Sequence, residues 1–250
     1  MMGGTTDSPE RRAIQPPAGD SAFSLTIVIP VYNEGENIES VYREIKSKVA
    51  VDHRIHIIYD FDEDNTLPVV RALQRDDDRL VLIKNSMGRG VLNALKSGFR
   101  SAPPGPCLVV MGDLSDDLSV VPLMLKKFRE GYKVVCGSRY MRGGRQIGGP
   151  LLKRALSRCA GLSLYYLTGI PTHDVTNNFK LYDKGFLDEV TIESHGGFEV
   201  AMELTVKAFK KGYPICEVPT TWHDRSAGQS RFRLWKWIPH YLKWYFYALR

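Results

Sequence analysis

Acidic residues follow three apolar segments of this sequence. Glu34 comes after the first segment, Asp60 ends the second, and Asp113 ends the fourth, shortly before Asp116 and Asp117. Carboxylates held close together raise each other's pKa values unless a cation lies between them. Oxygen ligands of this kind favour Mg²⁺ or Mn²⁺. The pattern therefore predicts a divalent metal site that could neutralise a departing diphosphate, provided that the fold brings the three segment ends together.

Basic side chains occur at comparable positions and suit an anionic ligand. Arg139 follows the fifth apolar segment, and Arg154 and Ser157 share one face of a predicted helix. Gly88-Arg89-Gly90 precedes another predicted helix, where it could bind a phosphate or serve only as a cap. The alternative for Arg154 is an ordinary solvated surface residue. The formal net charge of +6 fits a nucleotide, a phosphate or an anionic membrane surface as partner, and no recognised module points to nucleic acid.

Strand-like and helix-like segments alternate from Ser24 onward and would position these residues. Continuous apolar runs between amphipathic helices predict an α/β fold with a mostly parallel sheet covered on both faces. Ligands of such sheets bind beyond the carboxyl ends of the strands, which is where the candidate residues fall. The predicted strands are 24–33, 54–60, 80–85, 106–113 and 132–140, followed by a glycine-rich loop over 143–150, a helix over 151–169, a strand with turns over 172–183, a helix over 196–212 and a strand over 213–222.

The order of these motifs resembles that of family 2 glycosyltransferases, which have the GT-A fold. The resemblance rests on PVYNE after the first strand, the acidic loop after the second, N-x-x-G-R-G before the third helix, D-L-S-D-D after the fourth strand and GSRY before a Gly-Gly pair. R-x-x-S, THDVTNNFKLYD, GGFEVAMEL, EVPTTW and R-x-x-G-x-S then resemble the dolichol-phosphate mannose synthase branch. The similarity covers residues 24 to about 240. It implies a Rossmann-like sheet with C-terminal amphipathic interface helices.

The resemblance implies three sets of site residues. The first set binds the nucleotide and contains Pro30, Tyr32, Glu34 and Asp60, to which the glycine-flanked Arg89 is added. The second set binds a catalytic Mg²⁺ or Mn²⁺ and contains Asp113 and Ser115. The third set binds the acceptor phosphate and contains Arg139, Arg154, Ser157, Arg225 and Arg231. Asp113, Arg139 and Arg154 are the residues on which catalysis is expected to depend.

Several positions depart from the family pattern and leave the base and the sugar open. Met111 replaces the first acid of the D-x-D motif, so the metal has fewer protein ligands, and Asp116 or Asp117 could compensate. Tyr59–Asp62 replaces the usual D-D-G-S, and Lys180 replaces an arginine. GDP-mannose and UDP-glucose are both candidate donors.

The acceptor is expected to be a polyprenyl phosphate, because the sequence offers no strong general base. Transfer to a hydroxyl needs such a base. A phosphate is already an anionic nucleophile and needs cations to hold it. Two alternatives remain: a transferase of the same fold that uses Glu199 as the base for a hydroxyl acceptor, and an inactive nucleotide-binding scaffold. Glu199 and Glu203, four residues apart, could also form a solvated helix face.

The C-terminal segment is unusually aromatic and basic, a composition that suits the headgroup level of a membrane. Its rings could instead pack on the domain's own core or on a second subunit. We expect a disordered tail over 1–22, a GT-A catalytic domain over 23–225 and a membrane-interface segment over 226–250. No apolar run is long enough to span a bilayer, so the sequence predicts a cytoplasmic protein bound peripherally to a membrane. The aromatic residues of the segment are Trp235, Trp237, Tyr241, Trp244, Tyr245 and Tyr247, and the basic residues among them include Arg233, Lys236 and Lys243.

Overall fold

The computed structural model describes Arg12, residues 24–224 and residues 234–250, with the side chains of 234–236 outside that description. The strands are β1 (Leu25–Pro30), β2 (His53–Tyr59), β3 (Leu80–Lys84), β4 (Pro106–Val109), β5 (Val134–Ser138), β6 (Arg145–Ile147), β7 (Lys180–Asp183), β8 (Ile215–Pro219) and β9 (Thr221–His223). The helices are α1 (Ile38–Lys48), α2 (Thr66–Leu73), α3 (Val91–Ser101), α4 (Val121–Arg129), α5 (Leu151–Thr168), α6 (Lys184–Glu189), α7 (Val200–Lys210) and α8 (Leu234–Leu249).

Seven strands form one sheet in the order β3-β2-β1-β4-β7-β5-β8. Strand β7 is antiparallel to β4 and β5, whereas the other neighbouring strands are parallel. This arrangement confirms the predicted mostly parallel α/β fold. Strands β1, β2 and β4 are adjacent, and β5 runs in the same direction, so the segments that follow these four strands meet at one edge of the sheet.

The inner strand β1 shows why both faces of the sheet are covered. All six of its residues are buried, which fits its continuous apolar sequence. Because successive side chains of a strand point to opposite faces, Ile27 and Ile29 pack in a core with α1 and α4, whereas Val28 packs in a second core with α3 and α7.

The second half of the chain departs from the predicted pattern. The glycine-rich loop contains β6, which pairs with β9 in a separate two-stranded ribbon. Of the predicted strand over 172–183, only the last four residues are β7. Asp174 accepts a hydrogen bond from the backbone N–H of Asn177 (3.2 Å), and its carbonyl accepts one from Lys180 Nζ (2.9 Å). Such local side-chain bonds compete with strand pairing and explain the turns before β7.

Helices α5, α7 and α8 share a third apolar core. Trp244 of α8 is 2% exposed, and its indole N–H donates to Ser194 Oγ (3.1 Å). The packing of this ring on the domain's own core is therefore the alternative that the structure shows. Gly161 sets the position of α5, since a Cβ at this residue would overlap the carbonyl oxygen of His173. Trp235 lies in α8, but its side chain is outside the described part of the chain.

Other apolar side chains of α5 and α8 remain exposed. They are Leu151, Leu152, Leu156, Tyr166 and Leu167 on α5, and Leu242, Phe246, Tyr247 and Leu249 on α8. We call these nine side chains the apolar face. No helix within 24–224 or 234–250 is long and apolar enough to cross a membrane.

The predicted N-terminal tail lies outside the described residues except for Arg12. The backbone N–H of Arg12 donates to the carbonyl of Gly212 (2.8 Å), and its guanidinium lies 4.1 Å from the ring centroid of Tyr213. This residue of the expected disordered tail therefore contacts the domain, and the tail itself stays a prediction.

Candidate active site at the strand ends

The segments after β1 and β2 form one side of the site and contain the predicted nucleotide-binding residues. The rings of Tyr32 and Phe61 lie 5.1 Å apart, and the guanidinium of Arg89 lies 5.5 Å from the Phe61 ring centroid. Phe61 was not among the predicted residues, although its place beside Asp60 could have suggested it. Pro30 is buried at the end of β1, two residues before Tyr32.

Hydrogen bonds fix the backbone around these rings. Asp60 accepts from Asn85 Nδ2 and from the backbone N–H of Gly90, both at 2.8 Å, so its carboxylate ties the Gly88–Gly90 loop to the end of β2. Glu34 accepts from Asn37 Nδ2 (2.7 Å), and its own N–H donates to Thr66 Oγ1 (2.9 Å). Hydrogen bonds thus fix the positions of Asp60 and Glu34 on the proposed nucleotide side of the site.

The loop after β4 does not form the predicted cluster of carboxylates. Asp116 turns inward, is 8% exposed and accepts from the backbone N–H of Met111 (2.9 Å). Asp117 accepts from the backbone N–H (3.0 Å) and the hydroxyl (2.6 Å) of Ser119 at the start of a short 3-10 turn. The carboxylates of Asp116 and Asp117 are thus held by neighbouring groups of their own loop, and the role of either one in place of Met111 stays a prediction. Among the described residues, no group of three or more His, Cys, Asp or Glu side chains is placed to hold a metal ion.

Asp113 remains the carboxylate of this loop that suits a metal. It is partly exposed and accepts from the backbone N–H of Ser115 (3.2 Å). Ser115 itself is 2% exposed, and its carbonyl accepts from the backbone N–H of His223 of β9, so its place in the metal site stays a prediction. Mg²⁺ bound together with substrate phosphates needs only one or two carboxylates, and this donor set fits that arrangement.

Backbone strain is stored in two loops of this edge. Among the described non-glycine residues, only Asn33 (φ 54°) and Leu114 (φ 62°) have a positive φ. The left-handed conformation is unfavourable for a residue such as leucine, and strain of this kind concentrates at functional sites. Asn33 lies in the proposed nucleotide side, and Leu114 lies between Asp113 and Ser115.

Burial and charge perturb the ionisation of Asp116. Loss of solvent raises its pKa to about 7, the backbone N–H of Met111 opposes the shift, and the charge of Asp113 adds to it. Asp116 therefore holds its proton over a pH range in which an exposed aspartate has lost it.

Arg139 is neither a solvated surface residue nor a freely moving one. Its side chain is 9% exposed and is held by Asp174, which is completely buried. Nε and Nη2 donate to the two Asp174 oxygens at 2.6 Å and 2.9 Å, and Nη2 also donates to Thr176 Oγ1 at 3.0 Å. These three bonds leave out the two N–H groups on Nη1. Burial would lower the pKa of Arg139, but the ion pair with Asp174 raises it, so the cation is permanent.

Helix α5 contributes Ser157 and a lysine that the sequence analysis passed over. Ser157 Oγ lies in hydrogen-bond contact with Tyr140 Oη, which also donates to Gln146 Oε1 (3.0 Å). Burial lowers the pKa of Lys153, the positive charge of Arg139 lowers it further, and Asp224 and Asp113 oppose the shift. Lys153 therefore lies within electrostatic reach of both Arg139 and Asp113.

The charge of Arg154 lowers the pKa of Tyr140, the residue in contact with Ser157. Arg154 stays a predicted contact of the acceptor phosphate, and Lys153 joins it as a second candidate cation of α5. Arg225 and Arg231, the remaining predicted phosphate contacts, lie outside the described residues.

Glu199 and Glu203 do not form the solvated face that their spacing allows. Both are completely buried. Glu199 accepts from the backbone N–H groups of Gly196 (2.7 Å) and Gly197 (2.8 Å). Glu203 accepts from the N–H groups of 193 and 194 and from Lys207 Nζ (2.7 Å). Their carboxylates hold the segment before α7 in place.

The sequence profile of the family described as "Glycosyl transferase family 2" matches residues 26–191, which contain the carboxyl ends of all the strands except β8 and β9. The chain belongs to glycosyl transferase family 2. This family 2 chain is accordingly a glycosyltransferase, in agreement with the fold and with the motif order.

Two curated relatives are similar along most of the family 2 chain. A dolichol-phosphate mannosyltransferase from Pyrococcus furiosus is 25% identical over 84% of this chain and 60% of its own length. A polyprenol monophosphomannose synthase from Mycolicibacterium smegmatis is 26% identical over 82% of this chain and 79% of its own length. The chain thus spans less than two thirds of the Pyrococcus protein.

Solved structures of glucosyl-3-phosphoglycerate synthase from Mycobacterium tuberculosis share the fold of the family 2 chain. The complex with uridine diphosphate has a TM-score of 0.66 at 17% identity and covers 90% of this chain and 80% of that one. A complex with Mn²⁺, uridine diphosphate and glucosyl-3-phosphoglycerate has a TM-score of 0.63 at 16% identity and covers 90% of this chain and 78% of that one. At these identities the likeness shows the GT-A fold alone.

Proposed function

We propose that this chain transfers a hexose, mannose or glucose, from a nucleotide diphosphate sugar to the phosphate of a polyprenyl lipid. The names of the two curated relatives support a polyprenyl phosphate acceptor and mannose as the sugar. The solved relatives bind uridine diphosphate, so we retain GDP-mannose and UDP-glucose as the two candidate donors.

The observation that carries the proposal is the contrast between Arg139 and Glu199. Arg139 is a permanent cation held rigidly by Asp174, with its Nη1 group outside those bonds. Glu199, the candidate base for a hydroxyl acceptor, is buried and accepts two backbone hydrogen bonds. A fixed cation without an available base suits an acceptor that is already an anion.

Lys153 is the second cation that we assign to the acceptor phosphate. It lies within electrostatic reach of Arg139 and of Asp113, whereas Arg154 affects only Tyr140 among the perturbed groups. Two cations beside the acceptor would hold its phosphate near the anomeric carbon, so that catalysis consists of positioning and charge stabilisation.

Asp113 is the residue that would hold a divalent ion, with the donor diphosphate completing its ligands. Solved relatives were crystallised with Mn²⁺ or Mg²⁺ together with uridine diphosphate. When bound, the ion supplies positive charge to the departing diphosphate. Tyr32, Phe61 and Arg89 would line the nucleotide pocket, and Asp60 would keep the Gly88–Gly90 loop against it.

The apolar face on α5 and α8 is the surface that we assign to the membrane. It contains nine exposed large apolar side chains on two helices that pack side by side. A soluble surface with this many exposed leucines and aromatic rings marks an interaction site. Because α5 also carries Lys153 and Ser157, a lipid lying along this face would reach the cations with its phosphate.

The test uses liposomes that contain a short polyprenyl phosphate, each candidate donor, and Mn²⁺ or Mg²⁺. We expect a lipid-linked product. Lys153→Gln should raise the KM for the lipid roughly tenfold, because one charge-assisted contact to the phosphate is lost. Arg154→Gln, one residue away on the same helix, should change it little. Replacing Leu242 and Phe246 by serine should weaken co-sedimentation with the same liposomes.

Other results would redirect or end the proposal. Product formed only with hydroxyl acceptors would replace the lipid phosphate by a glycan or soluble acceptor. Calorimetry that detects no nucleotide diphosphate binding with either metal would support the inactive scaffold instead. If Lys153→Gln changed the KM for the lipid as little as Arg154→Gln is expected to, Lys153 would not belong to the acceptor site.

A further inference from the structure

A cavity of about 180 Å³ opens between the start of α3 and the segment that precedes α7. Its wall includes Arg89, Asn93 and Lys96 on one side and Ser194 and His195 on the other. Among the described residues that line it, none is Asp or Glu. The cavity is thus a polar pocket whose ionisable side chains are all basic.

Contacts deeper in the protein hold both walls of the pocket. On the α3 side, the N–H of Gly90 donates to Asp60 (2.8 Å). On the other side, the N–H of Gly196 donates to the buried Glu199 (2.7 Å), and Trp244 donates to Ser194 Oγ (3.1 Å). A pocket whose walls are fixed in this way loses little conformational entropy when a ligand binds.

The pocket is continuous with the proposed nucleotide side through Arg89. This side chain lines the cavity, and its guanidinium also lies 5.5 Å from the ring centroid of Phe61, the neighbour of Tyr32. A ligand in the pocket would therefore lie beside a nucleotide bound at the ends of β1 and β2.

We propose that this pocket binds a phosphate or carboxylate anion. The anion is either free inorganic phosphate, which is compatible with the proposed mannose or glucose donor, or an acidic group on the donor sugar, which would replace that donor by one carrying an acidic sugar. Arg89, Lys96 and His195 supply hydrogen-bond donors on both walls. Charge-assisted hydrogen bonds from basic side chains favour an oxyanion over a neutral group. The positive end of α3 adds to the same potential.

Binding of inorganic phosphate to the full chain, measured by calorimetry without nucleotide or lipid, tests the pocket directly. We expect the wild type to bind phosphate and the double variant Lys96→Gln, His195→Gln to bind it at least roughly tenfold more weakly. Arg100→Gln provides the matched control, since Arg100 is exposed on the same helix outside the cavity. Thermal unfolding of each variant checks that it is folded. Equal affinity of the wild type and the double variant would overturn the proposal.

Donors with and without an acidic sugar separate the two sources of the anion. If the pocket recognises the donor, UDP-glucuronate should bind more tightly than UDP-glucose, and the double variant should lose that preference. If it recognises the free ion, phosphate should bind equally well in the presence of UDP-glucose, and no preference between the donors should appear. Absence of both phosphate binding and an acidic-sugar preference would reject the pocket. These titrations contain no lipid. A lack of anion binding in them and a lack of sugar transfer to the lipid are therefore independent outcomes.

Discussion

The acidic loop after β4 and Arg139 after β5 lie at the same edge of the sheet, but their charged side chains are held in place by different kinds of contact. In the loop, Asp113, Asp116 and Asp117 accept hydrogen bonds from backbone N–H groups two to five residues away. Arg139 is held instead by Asp174, a side chain 35 residues later. The acidic side is thus organised by its own local sequence, whereas the cationic side depends on a distant segment. The comparison predicts that single substitutions will damage the cationic side more.

The largest effect is expected for Asp174→Asn. The substitution leaves the guanidinium of Arg139 buried without its counter-charge, and breaking a buried pair in this way typically costs about 3–5 kcal/mol. We expect the free energy of unfolding to fall by this amount and the transfer of the sugar to the lipid to be lost. Urea denaturation measures the first effect, and product formation in liposomes measures the second.

Thr176→Val is the matched control for this prediction. It removes one hydroxyl that bonds to Arg139 (3.0 Å) and leaves the ion pair intact, so it should cost about 1 kcal/mol. Equal losses in the two variants would show that the ion pair does not hold the cationic side.

A smaller effect is expected when the acidic side loses Asp113. Asp113→Asn should lower kcat/KM roughly 100-fold, because it removes the charge that we propose to bind the metal beside the diphosphate. Asp117→Asn keeps an oxygen that can accept from Ser119, so its rate and its Mn²⁺ dependence should match those of the wild type. Rates measured over a series of Mn²⁺ concentrations check both variants. A similar loss in both would mean that the whole loop, rather than one carboxylate, serves the metal.

The smallest expected effect concerns pH. Burial raises the pKa of Asp116 to about 7 from its usual value near 4, so the folded protein binds this proton more tightly than the unfolded chain does. By linkage, the metal-free protein should lose stability as pH rises from about 4 to 7. Asp116→Asn, which cannot ionise, should remove this dependence and gain roughly 2 kcal/mol relative to the wild type between pH 5 and pH 7. Denaturation in the presence of a chelator measures the difference, and parallel pH curves would contradict it.

The part of the fold organised by local sequence was predictable. The continuous apolar segments placed β1 to β5 within a few residues of their observed bounds. The motifs after β1, β2 and β4 then followed, because parallel strands present their carboxyl ends at one edge.

The parts that depend on distant partners were not predictable in the same way. The partner of Arg139 lies in a segment whose pattern favoured a strand, and the local bonds of Asp174 turned it into a series of turns. The choice between Lys153 and Arg154 depends on how α5 is rotated against the sheet, which periodicity alone does not fix. Trp244 illustrates a third case, since an aromatic ring suits a core and a membrane interface equally well until its neighbours are known.

The contact at Gly161 couples the position of α5 to the segment around His173. At this residue the helix backbone lies directly on the carbonyl of His173, without room for a side chain between them. Asp174, which follows His173, forms the ion pair with Arg139. On the proposed membrane, a tilt or shift of α5 would also displace this segment and, through Asp174, the guanidinium of Arg139. The bilayer would then act on the enzyme mechanically as well as supplying its substrate.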